Sequence, residues 1–181
     1  MKTQNLVVTC KDEELNLEAL KLSESLNLPF GGSLKTLSKN IKDFDELPSK
    51  KFFLVVSKDL IYLRKGLGDS SKPIFSDFLK WSKQSHRVNL VKSLRGLPKK
   101  SLLIDATAGL GKDALLFSSF VDKLILIERV PWIHALLEDG LKRQNKLIPS
   151  LKKIEVVCSD SKDYLLKLGP SPDAIYLDPM F

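Results

Sequence analysis

Acidic residues are missing altogether between Asp77 and Asp105, while the 181-residue chain carries a net charge of +7. Cysteine is nearly absent. Cys10 and Cys158 share no motif spacing, which excludes a disulfide-stapled fold and leaves two reduced thiols, Cys158 within a strand. Histidine is equally scarce, and His86 and His134 lack metal-ligand spacing, so no metal is expected. His134, beside Trp132 and Leu136 in an amphipathic stretch, reads as structural. No Ser-His-Asp or Cys-His nucleophile arrangement is present. No apolar run is long enough to span a bilayer, and the run after Met1–Asn5 is too short for a signal peptide. A cytoplasmic, membrane-free protein is expected. Internal repeats and low-complexity tracts are absent too.

What remains is ordinary globular composition, 43% hydrophobic and 28% charged. The acid-free interval holds Lys80, Lys83, His86, Arg87, Lys92, Arg95, Lys99 and Lys100, with Trp81 among them. Basic groups beside an aromatic form a nucleic-acid footprint; the plainer reading is a solvated helix face and linker.

Three segments are expected. Residues 1–75 form a small α/β lobe. It has a strand at Leu6–Cys10, then a helix through Leu15–Leu26 behind a Thr9/Asp12 capping box. Pro29-Phe30-Gly31-Gly32 breaks that helix, and Phe52–Val56 with Leu60–Leu63 form a hairpin. Residues 76–100 form a basic helical connector, with helix from Ile74 to Leu97. From 101 to 181, strands at Leu102–Asp105, Lys123–Glu128, Ile154–Cys158 and Asp173–Asp178 alternate with helices. That alternation predicts an α/β, doubly wound, mostly parallel sheet, with ligands beyond the carboxyl ends of its strands.

The first strand runs into Asp105-Ala106-Thr107-Ala108-Gly109-Leu110-Gly111-Lys112-Asp113, small residues and glycines that admit a ligand close to the backbone. Gly109-x-Gly111-x-x-Ala114 also fits a dinucleotide fingerprint. Pyrophosphate prefers a helix N-terminus without added carboxylates. Asp105 and Asp113 suit a cationic, phosphate-free ligand better, such as S-adenosylmethionine. Glu128, ending the second strand, can accept both ribose hydroxyls or pair at the surface with Arg129. Asp160 and Ser161 either bond the adenine or cap the next helix. The chain closes on Asp178-Pro179-Met180-Phe181. There a carboxylate and a proline carbonyl can hold an exocyclic amine while Phe181 stacks on a base, an interaction of about 1–3 kcal/mol. The plainer alternative is a strand ending in an Asp-Pro turn.

At these motifs the chain resembles the ribosomal small-subunit methyltransferase J family. The carrying residues are Asp105–Asp113, Glu128-Arg129, Leu136–Leu141 and Tyr176–Phe181. Leu63-Arg64-Lys65, Phe75–Phe78 and His86-Arg87 match more loosely. The resemblance implies a class I S-adenosylmethionine-dependent methyltransferase acting on N2 of a guanine in 16S rRNA. Its cofactor contacts would fall on Lys112, Asp113, Glu128, Arg129, Asp160, Ser161 and Asp178. Asp105, Gly109 and Gly111 would line the same site; Asp178, Pro179 and Phe181 would carry catalysis. Lys80, Lys83, His86, Arg87, Lys92 and Arg95 would contact RNA. The expected partner is 16S rRNA or the small ribosomal subunit, and the expected state a monomer. Two departures stand out. The family's Gly-rich basic stretch after His-Arg is replaced by Val88-Asn89-Leu90, and its pattern continues beyond Asp-Pro-Met-Phe. An N-terminal portion of such an enzyme, with an apolar sheet edge, is therefore expected. Rival readings are methylation of adenine N6 or a protein amide, an NAD-dependent oxidoreductase, and a non-catalytic RNA-binding module.

Overall fold

The computed structural model describes residues 5–39, 52–66, 70–83, 88–98, 100–169 and 171–179. The expectations placed on His86, Arg87, Lys99, Met180 and Phe181 lie outside these residues. The chain divides into two compact units, 1–75 and 76–181.

In the first unit, β1 (Leu6–Cys10) is followed by α1 (Asn16–Leu26), β2 (Phe30–Ser33), α2 (Leu34–Lys39), β3 (Phe52–Val56) and β4 (Ile61–Lys65). The sheet order is β2-β1-β3-β4, with β1 parallel to both neighbours and β3–β4 an antiparallel hairpin. Two local expectations are corrected. Thr9 caps no helix: it lies inside β1 and its hydroxyl donates to the Gly32 carbonyl. Asp12 makes no side-chain cap and pairs instead with Lys35 at 3.0 Å. Gly31-Gly32 is strand and not merely a break. A Cβ on Gly31 would stand 2.9 Å from Val7 Cγ1, so the missing side chain lets β2 run against β1.

In the second unit, α3 (Phe78–Trp81) and α4 (Val88–Leu94) precede β5 (Leu102–Asp105), α5 (Ala114–Ser118), β6 (Lys123–Glu128), α6 (Pro131–Gln144), β7 (Ile154–Cys158), α7 (Ser161–Leu166) and β8 (Ala174–Tyr176). The order is β7-β6-β5-β8, every pair parallel. The strand period of two divides the core. Leu103, Leu124 and Leu126 meet Phe78, Phe117 and Leu137 on one face. Ile104, Ile125 and Ile127 meet Tyr164 and Leu165 on the other. At the edge, Ile175 and Leu177 of the β8 segment are exposed.

Where a single helix was expected over Ile74–Leu97, the described residues form two short ones, Phe78–Trp81 and Val88–Leu94. Ile74 forms an antiparallel bridge with Leu63, and helix begins only where the Asp77 carboxylate accepts the Lys80 N–H at 3.0 Å. The following residues are anchored to the sheet unit. Phe78 is fully buried, the Gln144 amide oxygen accepts the Leu79 N–H at 2.9 Å, and Arg143 donates to the Ser76 carbonyl at 2.8 Å. Gly140 makes that approach possible, since a Cβ there would stand 2.4 Å from Ser76 Cβ.

Candidate active site

Strand β5 lies between β6 and β8, where the sheet order reverses, and the loop leaving it opens at that switch point. The loop is fastened on both sides. The Ala106 N–H donates to the Tyr176 carbonyl at 2.9 Å and the Ala108 N–H to the Ile127 carbonyl at 3.0 Å. Gly109 (φ 54°) and Gly111 (φ 80°) then turn the chain through left-handed conformations.

The two glycines do different work. Around Gly109 a Cβ would meet nothing within 4 Å, so this is the position open to a ligand. Gly111 is buried. Its Cβ would stand 2.5 Å from Leu137 Cδ1 and 3.2 Å from the Phe78 ring. The missing side chain of Gly111 makes room for α6 and Phe78.

Four carboxylates gather here. Asp105 is 2% exposed, and one of its oxygens accepts the Thr107 N–H at 3.0 Å. Burial pushes its carboxyl up to about 7; the Thr107 N–H opposes this, while Asp113, Asp178 and Glu128 add to it. Glu128, 8% exposed, does not pair at the surface. Its carboxylate accepts the Gly109 N–H at 3.0 Å and the Val130 N–H at 2.7 Å, bracing the loop against the end of β6. Each oxygen keeps a further lone pair for a hydroxyl. Asp113 precedes α5, and Asp178 follows β8 in exposed backbone. The Tyr176 hydroxyl stands between them, 3.4 Å from Asp113 Oδ2 and 3.3 Å from Asp178 Oδ2.

The remaining expected residues divide. The Asp160 carboxylate accepts the Lys162 N–H at 2.9 Å and so caps α7. The Ser161 hydroxyl donates to the Ala106 carbonyl, joining α7 to the loop's first residue. Lys112, Arg129 and Pro179 are exposed at the strand tips. Lys80, Lys83, Lys92 and Arg95 are exposed on or just after α3 and α4. Trp81 is half-buried and packs at about a right angle to Phe78, with centroids 5.3 Å apart.

Thr107 and Tyr176 were not foreseen as site residues. The Thr107 hydroxyl oxygen accepts the Asp178 N–H at 2.8 Å. Tyr176 also packs edge-on to Phe117, with ring centroids 4.7 Å apart. A strand period of two already puts Tyr176 on the side of Asp178, and Thr107 is the lone hydroxyl between Asp105 and Asp113.

A cluster of negative charge with an open glycine fits a cationic ligand. The dinucleotide reading fits poorly, because Asp113 stands where pyrophosphate would approach α5. Among the described residues, no three His, Cys, Asp or Glu side chains converge as a metal-holding group.

Known proteins are similar to this chain. A family described as "Putative SAM-dependent methyltransferase" matches residues 38–181. Proteins named ribosomal RNA small subunit methyltransferase J are similar. That of Cellvibrio japonicus is 44% identical over 89 residues, covering 44% of this chain and 34% of its own. That of Thioalkalivibrio sulfidiphilus is 29% identical across 100% of this chain and 71% of its own. That of Coxiella burnetii (strain Dugway 5J108-111) is 33% identical across 91% and 63%. The chain thus spans between 34% and 71% of the length of these relatives. A solved SAM-dependent methyltransferase from Neisseria gonorrhoeae has the same fold, with a TM-score of 0.70 at 21% identity over 97% of this chain and 70% of that one. Because the match takes in residues 38–181, most of the chain, the chain belongs to the family described as "Putative SAM-dependent methyltransferase".

Proposed function

We propose that this chain binds S-adenosylmethionine at the ends of β5, β6 and β8, and that its enzyme methylates the exocyclic N2 amine of a guanine in 16S rRNA. The observation that carries the reading is the gathering of Asp105, Asp113, Glu128 and Asp178 around an open glycine turn. The rRNA substrate is supported by the names of the similar proteins, and the guanine amine by the motif resemblance. When bound, the cofactor supplies an electrophilic methyl group.

The chain's own residues would then act as follows. Gly109 lets the ligand reach the backbone, and Asp105 and Asp113 offset its positive charge. Glu128 accepts ribose hydroxyls with the lone pairs left over from Gly109 and Val130. Asp160 and Ser161, already fastened to the backbone, border the adenine, and Lys112 and Arg129 flank the opening. Asp178 and the Pro179 carbonyl accept the two N–H bonds of the target amine, directing its lone pair at the methyl carbon; Phe181 stacks on the base. Rate then comes chiefly from positioning. Lys80, Lys83, His86, Arg87, Lys92 and Arg95 hold rRNA phosphates. The reading places the enzyme in the cytoplasm with its rRNA substrate and takes it as a monomer. Among the described residues, no helix is long and apolar enough to cross a membrane.

The test is isothermal titration of the chain with S-adenosylmethionine and with NAD, followed by methyl transfer from labelled cofactor to 16S rRNA and to small subunits. Micromolar binding of S-adenosylmethionine alone, weakened by Asp178→Ala, with label recovered as N2-methylguanine, supports the reading. Binding of NAD in its place overturns it, and label recovered on adenine N6 or on protein moves the substrate to that amine.

A further inference from the structure

The proposed chemistry needs two things in fixed register: the loop that holds the cofactor and the carboxylate that holds the acceptor. These come from chain segments about 70 residues apart, so the ladder between β5 and β8 must set their spacing. That ladder's last paired residues are Asp105 and Tyr176. Asp178 lies two residues farther on and is exposed. Two side-chain contacts continue the register past the sheet. The Thr107 hydroxyl oxygen, inside the cofactor loop, accepts the Asp178 backbone N–H at 2.8 Å. The Tyr176 hydroxyl stands at long hydrogen-bond range from both Asp113 and Asp178, at 3.4 and 3.3 Å. Its ring is held by Phe117, which is fully buried.

We infer that Thr107 and Tyr176 are positioning residues that tie the acceptor carboxylate of Asp178 to the cofactor loop. The inference rests on the proposed cofactor site. Thr107 fixes the backbone of Asp178, and its hydroxyl hydrogen stays available for a second acceptor. Tyr176 has one proton to donate, so it serves one carboxylate at a time. A cation that offsets the charge on Asp113 therefore leaves that proton to Asp178. Cofactor binding and orientation of the acceptor carboxylate are thereby linked through one phenol.

The experiment is titration of S-adenosylmethionine into the full chain and into Thr107→Val, Thr107→Ser, Tyr176→Phe and Asp178→Ala, with the two Thr107 and Tyr176 losses repeated in the Asp178→Ala background. Near-ultraviolet dichroism confirms folding of each. Thr107→Val and Tyr176→Phe are expected to weaken binding about 5- to 10-fold, the size of an ordinary hydrogen bond. Thr107→Ser, which keeps the hydroxyl, stays within about twofold of the unaltered chain. In the Asp178→Ala background Thr107→Val changes affinity by less than about twofold, because its effect runs through Asp178. A loss of the same size in both backgrounds, or failure of Thr107→Ser to rescue, assigns Thr107 to loop stability and overturns the inference. If Asp178→Ala weakens binding and neither hydroxyl loss does, the inference alone fails. If Asp178→Ala leaves binding unchanged, the assignment of Asp178 to the cofactor fails and takes the inference with it.

Discussion

Replacing Asp105 with Asn should stabilise the second unit at neutral pH while weakening its hold on a cationic cofactor. Asp105 is 2% exposed, and its carboxyl is pushed from 3.8 to about 7 by burial and three neighbouring carboxylates. A raised carboxyl means the folded state holds the proton more tightly than the unfolded chain. Its stability is therefore complete below about pH 4 and is lost as pH rises through about 7. The span from 3.8 to 7 corresponds to about 4 kcal/mol in all, of which about 2.5 kcal/mol falls between pH 5 and pH 8. An amide does not titrate, and its oxygen can still accept the Thr107 N–H that Asp105 accepts. The assay is urea unfolding at pH 5, 6, 7 and 8, followed by tryptophan fluorescence. Both tryptophans, Trp81 and Trp132, lie in the second unit, so the signal reports that unit alone. The stability of Asp105→Asn relative to the unaltered chain should climb by about 2.5 kcal/mol across this range. The affinity for S-adenosylmethionine should fall in the same variant. A stability difference that stays flat from pH 5 to pH 8 would refute the electrostatic account of the site.

Gly111→Ala should destabilise the second unit by about 2–3 kcal/mol in urea unfolding, from a positive φ plus the overlap with Leu137 and Phe78. Gly109→Ala, strained in φ but open around its Cβ, should cost only about 1 kcal/mol and act mainly on cofactor affinity by calorimetry. Gly140→Ala reverses the usual helix rule: the substitution normally stabilises by about 1 kcal/mol, but contact with Ser76 should make it destabilising by about 1–3 kcal/mol. Alanine at Lys80, Lys83, Lys92 and Arg95 together should reduce the slope of log affinity for rRNA against log salt by about 3, measured by filter binding. An unchanged slope would remove this face from the RNA contact.

Periodicity was enough to locate the sheet unit. β6 and β7 run over Lys123–Glu128 and Ile154–Cys158, as the apolar runs Leu124–Ile127 and Val156-Val157 suggested; β6 is buried from Leu124 onward, whereas the edge strand β7 carries Glu155 exposed. The glycine loop, Glu128 and the Asp178 tip were legible for the same reason, each being a polar interruption at the end of an apolar run. Local signals misled where a distant partner competed. Thr9 and Asp12 have capping-box spacing, yet Thr9 bonds to Gly32 and Asp12 to Lys35. Neither partner can be deduced from residues 9–12. The basic segment read as one helix because charge and apolar residues recur along it; the bridge at Ile74 and the anchoring of Ser76 by Arg143 hold its first residues out of helix, which starts at Phe78.

Residue order alone therefore settled the α/β class, the positions of the four parallel strands and the negative character of their tips. These depend on hydrophobic period and on the rule that connecting loops carry the polar groups. Three matters depended on tertiary contacts. Gly109 faces open space while Gly111 lies beneath Leu137, although both have positive φ. Glu128 braces the loop instead of meeting Arg129 at the surface. Thr107 and Tyr176 reach Asp178 across about 70 positions of chain. Each is a relation between segments far apart in sequence. Spacing along the chain encodes which residues share a face, whereas which faces meet is decided only when the sheet closes around its core.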